Sequence, residues 1–131
     1  MKVNEQNYVE EAERTILELK KLKDNRTGRD IPMVTTSKLR NLLAMAADIY
    51  NSVLNCTEDR LPEDICSRIE YLRVRFLYEA GREPSVKNLV EKADIVNLLK
   101  EVKGSKKKYI LFNRYMEALV AYHRYYGGKE N

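Results

Sequence analysis

The sequence predicts an all-α fold, a compact bundle of about five helices, on three observations. Apolar residues return at spacings of three and four along most of the chain, which places one apolar stripe on each helix. No stretch alternates apolar and polar residues over a useful strand length, and there is no internal repeat or low-complexity segment. Glycine, proline and hydroxyl residues divide the periodic stretches at the points where helices need caps and stops. At 131 residues the chain reads as a single helical domain, 1-131, with one modest core. Its hydrophobic share of 44% is too high for a disordered chain. Its charged share of 34% exceeds the roughly 25% of an average domain, which suits helices with heavily solvated outer faces.

The first helix is expected over 5-23, where Val9, Ala12, Ile16, Leu19 and Leu22 form one stripe. The segment 24-36 follows, broken by Gly28 and Pro32. A loop of this length is usually functional or mobile, and it would let helix one move or be exchanged onto a neighbouring copy. Thr36 or Ser37 is a candidate N-cap for a second helix reaching Leu54, buried through Leu39, Leu42, Leu43, Ala46, Ile49, Tyr50 and Val53.

Pro62, Glu63 and Asp64 suit the first turn of a third helix ending at Ala80, with Gly81 as its cap. Ile65, Ile69, Leu72, Phe76 and Ala80 make its apolar arc. Val74, Leu77 and Tyr78 fall outside that arc, so the helix is expected to be buried on most sides. Ser85 is the expected cap of a fourth helix carrying Leu89, Ala93, Val96 and Leu99, ended by Gly104. Ser105 begins a fifth, with Tyr109, Phe112, Met116, Leu119, His123 and Tyr126 on one stripe. Gly127 and Gly128 end it, and a frayed polar tail is expected beyond.

The formal net charge of +4 is a mild excess that favours an anionic partner, whether RNA, DNA or an acidic protein surface. Nine tyrosines and no tryptophan suit half-buried core positions, interfaces and base stacking alike. Cys56 and Cys66 are ten apart and complete no metal-ligand pattern, so they read as reduced thiols of a cytoplasmic protein. The start of the chain lacks the apolar centre of a secretory signal. No run approaches the roughly 20 apolar residues that span a bilayer, so no membrane partner is expected.

Catalysis is poorly supported. His123 is the single histidine, and it lies on an apolar stripe. Helical ribonucleases of the HEPN type place an arginine four to six residues before such a histidine, whereas eight residues separate Arg114 from His123. No glycine-rich phosphate loop is present. Glu10-Glu11 and Glu58-Asp59 lie in polar segments without the burial that separates the pKa values of an acid–base pair. No cofactor is expected.

The basic residues are more informative. Arg68, Arg75 and Arg82 recur every seven residues, and drifting only about 20° per heptad they line one side of the third helix. Guanidinium groups need anionic partners, either phosphates or internal carboxylates such as Glu79 and Glu117. Lys38 and Arg40 open the second helix, where cations oppose the dipole and a bound phosphate would relieve them. Lys106, Lys107 and Lys108 repeat that mismatch, and Arg26 and Arg29 lie in the long loop.

Three stretches in order, Thr35 to Leu42, Arg73 to Arg82 and Tyr115 to His123, give the chain a pattern that resembles the small subunit of the type III-A CRISPR (Csm) effector complex. The likeness runs from about residue 30 to 128. It implies a compact helical protein without nuclease activity. Several copies would stack along the filament beside other Csm subunits and hold CRISPR guide RNA and target RNA through their phosphates, in antiviral defence. It implies RNA contacts at Lys38, Arg40, Arg75 and Arg82, with Arg68 and Arg73 beside them. Weak contacts repeated along a filament would add up, and self-association, including a homodimer of the isolated protein, is expected. The alternative is a helical scaffold that binds only protein.

Overall fold

The structure, a computed structural model, describes residues 2–23 and 26–128. Six helices make up the fold among these residues: α1 (Tyr8–Lys20), α2 (Thr36–Leu54), α3 (Glu63–Arg82), α4 (Pro84–Lys92), α5 (Ile95–Val102) and α6 (Lys106–Tyr125). The all-α bundle is as the apolar spacing predicts. The extra helix arises because the expected fourth helix is two. Asp94 adopts a left-handed conformation, φ 59° and ψ 34°, which separates α4 from α5. Aspartate tolerates that region better than most residues because its short side chain bonds locally, here accepting from Asn97 Nδ2 at 2.8 Å.

The centre of the bundle is α6, which packs against α1, α2 and α5, while α3 closes the other side against α2, α4 and α5. Tyr109, Phe112, Tyr115, Met116 and Leu119 of α6 are all buried, as the stripe requires. Phe76 of α3 meets Phe112 edge-on, with ring centroids 6.3 Å apart and planes at 82°. Buried phenols need partners. Tyr109 O–H donates to the Ala46 carbonyl oxygen of α2 at 2.7 Å, and Tyr115 O–H to that of Ala93 at 3.1 Å. α1 buries Ala12, Thr15, Ile16 and Leu19. Its Glu13 accepts from Tyr126 O–H at 2.6 Å.

Several helix ends differ from expectation for local reasons. Thr35 caps α2, its hydroxyl accepting from the Lys38 N–H at 3.3 Å, so Thr36 and Ser37 are already helical. α3 runs through Gly81 to Arg82, because the chain stops at the extended Glu83 that precedes Pro84. Pro84 then opens α4, and Ser85 lies inside it. Ser105 does cap α6, accepting from the Lys108 N–H at 3.2 Å. The expectation that α3 is buried on most sides is wrong. Val74, Leu77 and Tyr78 are 54%, 52% and 60% exposed, because none of the described residues packs over the face opposite the arc of Phe76. Val9 of α1 is likewise exposed.

The segment after α1 folds back on itself, with the Ile31 N–H donating to the Leu22 carbonyl at 2.9 Å and an antiparallel bridge between Lys23 and Asp30. Asp24 and Asn25 of the expected loop, and the expected polar tail after Gly128, lie outside the described residues. At one end of the bundle the α2–α3 connection is tied to the α5–α6 corner. The Leu61 N–H donates to the Gly104 carbonyl at 2.8 Å, and the Lys106 N–H to that of Asp59 at 2.9 Å. No helix among the described residues is long and apolar enough to cross a membrane.

Candidate nucleic-acid interface

α2 and α3 lie side by side, and their apolar arcs meet below the surface while longer side chains rim a groove above. Two clefts, about 410 and 400 Å³, adjoin at Met45 and Arg75, which line both. Arg68, Tyr71 and Asp48 line one, and Lys38, Glu79 and Arg82 the other.

The groove gathers Lys38, Arg68, Arg75 and Arg82, because a seven-residue period on α3 faces the first turn and middle of α2. Most of these cations have light internal partners. Lys38 Nζ is 2.9 Å from Glu83, bridging the start of α2 to the α3–α4 junction. Arg68 Nη2 is 3.5 Å from the Asp48 carboxylate, and its Nη1 donates to Ser52 Oγ at 2.9 Å. Arg82 Nη1 is 3.3 Å from Glu79, and its guanidinium carbon lies 5.6 Å from the centroid of the Tyr78 ring. Exposed pairs of this kind contribute about 0–1 kcal/mol, so a phosphate can displace them. Arg75 is exposed where the two clefts adjoin and has no hydrogen-bond or ion-pair partner among the described residues.

The other two predicted contacts lie elsewhere. Arg40 is two residues beyond Lys38, about 200° round the helix, and is exposed outside the groove. Arg73 is turned from Arg75 by the same geometry and pairs with Glu70 at 2.9 Å. Lys106 donates to the Cys56 carbonyl at the far end of α2, with Lys107 and Lys108 exposed beside it. Arg26 and Arg29 are exposed in the loop before α2. Sequence reasoning missed Met45 and Tyr71 as groove residues. Tyr71 has a legible signal, since it precedes Tyr78 by the same seven residues that separate the arginines.

His123 is fully buried and occupied. Its Nε2 lies 2.6 Å from the Val34 carbonyl oxygen and its Nδ1 3.2 Å from Thr36 Oγ1. It is thus a satisfied core histidine. Cys56 and Cys66 are free thiols, each donating to a carbonyl near its own helix end.

The Csm2 type III-A family model matches residues 11–129. A Streptococcus thermophilus protein named "CRISPR system Cms protein Csm2" is 42% identical over 128 residues, covering 98% of each chain. Proteins of the same name are 42% identical over 120 residues in Enterococcus italicus, covering 88% of this chain and 86% of the relative, and 34% identical over 130 residues in Mycobacterium tuberculosis, covering 99% of each. The ordered motifs, the helical bundle and these near end-to-end matches agree: the chain belongs to the Csm2 type III-A family, the small subunits of the type III-A CRISPR (Csm) complex.

Proposed function

We propose that this subunit is a non-catalytic RNA-contacting protein of the type III-A interference complex. It holds the phosphates of guide and target RNA in the α2–α3 groove and repeats along the filament beside other Csm subunits. The observation that carries the reading is Arg75. An exposed guanidinium with no carboxylate partner among the described residues stands where two clefts adjoin, with Lys38, Arg68 and Arg82 around it. Cations so placed neutralise phosphates and release counterions without reading sequence, which is left to guide pairing. One groove makes few contacts, so affinity comes from repetition of copies along the RNA. Arg40 and Arg73, outside the groove, would reach RNA only from a neighbouring copy or along a different face.

The test is binding of the purified protein to single-stranded RNA and to a guide–target duplex at low and moderate salt, beside an Arg75→Glu/Arg82→Glu variant. Salt-dependent binding that the variant loses supports the reading and localises it to α3. A well-folded protein that binds no RNA at low salt would instead favour a scaffold that contacts only protein.

A further inference from the structure

Two large rings on the outer face of α3 serve neither the core nor, among the described residues, a hydrogen bond. Tyr71 and Tyr78 are 62% and 60% exposed. They interleave with the arginine line, because Arg68, Tyr71, Arg75, Tyr78 and Arg82 succeed one another at steps of three and four. On an α-helix this spacing confines all five to a stripe about 80° wide, with the two tyrosines about 10 Å apart along the axis. Asp64 continues the stripe one turn before Arg68, and Glu79 at its edge pairs with Arg82 at 3.3 Å. Arg82 lies over the Tyr78 ring, its guanidinium carbon 5.6 Å from the centroid, so cation and ring are neighbours on this surface. Tyr71 shares its cleft with Arg68 and Arg75.

We propose that Tyr71 and Tyr78 are stacking platforms for unpaired RNA bases, beside arginines that hold the phosphates on either side. The inference rests on the RNA reading above and adds the class of RNA. A phosphate groove alone accepts a duplex and a single strand alike. A ring that stacks on a base face needs a strand whose bases are not enclosed in a helix. The alternation of charge and ring argues for this occupant. An apolar protein surface laid on the stripe would strip water from guanidinium groups without supplying anions, whereas a single-stranded RNA offers a flat π-face and a phosphate at every step. Stacking is tolerant of base identity, so the platform would grip any sequence.

The experiment compares two oligonucleotides of equal length at several salt concentrations by fluorescence anisotropy. One is an ordinary single-stranded RNA and the other an abasic ribose-phosphate strand. The proteins are the wild type, Tyr71→Ala/Tyr78→Ala, Tyr71→Phe/Tyr78→Phe and Arg75→Glu/Arg82→Glu, each checked for folding by circular dichroism. The alanine pair is expected to bind ordinary RNA about tenfold or more weakly, with an unchanged salt slope, because stacking releases no counterions. The abasic strand should bind the wild type and both tyrosine-pair variants alike, and the phenylalanine pair should keep wild-type affinity. Salt-dependent binding unchanged by the alanine pair overturns the stacking inference and leaves the phosphate groove standing. Equal losses on both strands also overturn it, since the rings would then act only by positioning the arginines. Wild-type protein that binds neither strand overturns both readings. An alanine pair that loses self-association in sedimentation while keeping RNA affinity assigns the stripe to a protein interface instead.

Discussion

The His123 Nε2 lies 2.6 Å from the carbonyl oxygen of Val34, joining the last turns of α6 to the segment that leads into α2. A carbonyl can only accept, so Nε2 carries the proton, and in the neutral ring Nδ1 is left to accept from the Thr36 hydroxyl at 3.2 Å. The Gly128 backbone lies against the same imidazole, where an added Cβ would collide with the ring. His123→Ala removes two buried hydrogen-bond partners and opens a cavity, which should cost about 3 kcal/mol. Denaturant unfolding should show a lower midpoint with an unchanged slope. Gly128→Ala, which leaves every polar partner in place, should also destabilise, because the ring it meets is not a flexible chain end.

Tyr109 tests the tie between α6 and α2 alone. Tyr109→Phe keeps the ring that meets Phe112 at 5.8 Å but removes the phenol that donates at 2.7 Å to the Ala46 carbonyl, an oxygen within α2. A loss of about 1–2 kcal/mol is expected by denaturant unfolding. A thermally unchanged variant would mean that water enters to replace the hydroxyl.

Alkaline titration should separate the tyrosines. The hydrogen bond from Tyr126 O–H to Glu13, then burial, then the Glu13 charge push this phenol up to about 12. Burial first of all raises Tyr109 and Tyr115 as well. A folded-state pKa above the ordinary value near 10 means that the folded protein holds the proton more tightly. The stability from Tyr126 is therefore intact below about pH 10 and is lost as pH rises from about 10 to 12. Phenolate absorbance should show these three groups ionising last. Glu13→Gln should bring Tyr126 down.

Lys38 is held by Glu83 at 2.9 Å and lines the same cleft as Arg75. Under the phosphate-groove reading, Lys38→Ala should weaken RNA binding uniformly across sequences and reduce the salt slope by about 1. Glu83→Gln should do the reverse, strengthening binding by releasing the cation and lowering local repulsion of phosphate. Anisotropy titrations over a salt series check both. Opposite signs for the two variants are the required outcome.

Much of the bundle was legible because burial repeats with the helical period. The stripes through Phe76 on α3 and through Tyr109, Met116 and His123 on α6 follow directly from spacing. What escaped the sequence was decided by neighbours. Val74, Leu77 and Tyr78 look buried by residue type, yet no other helix covers them. Asp94 breaks a helix without glycine or proline, by a local side-chain bond. The arginine line was visible as a period of seven, but which of its partners are carboxylates depends on α2, whose Asp48 and Ser52 reach Arg68 across the groove. Arg40 and Arg73 are expected to contact RNA through the family resemblance, and helical rotation turns each away from the groove that Lys38 and Arg75 line.

The knot of backbone bonds between Asp59–Leu61 and Gly104–Lys106 makes the molecule unequal in its tolerance of growth. Gly104 sits at φ 77°, with the Arg60 guanidinium only 3.1 Å from where a Cβ would stand, and Arg60 itself reaches the Lys103 carbonyl at 3.2 Å. One inserted residue on either side would throw several of these bonds out of register together. The tip at 26–29, by contrast, is exposed throughout, beyond the Leu22–Ile31 bond that closes its base. Added length, such as a grafted epitope or dye-binding tag, is therefore better tolerated at that tip than at the knot.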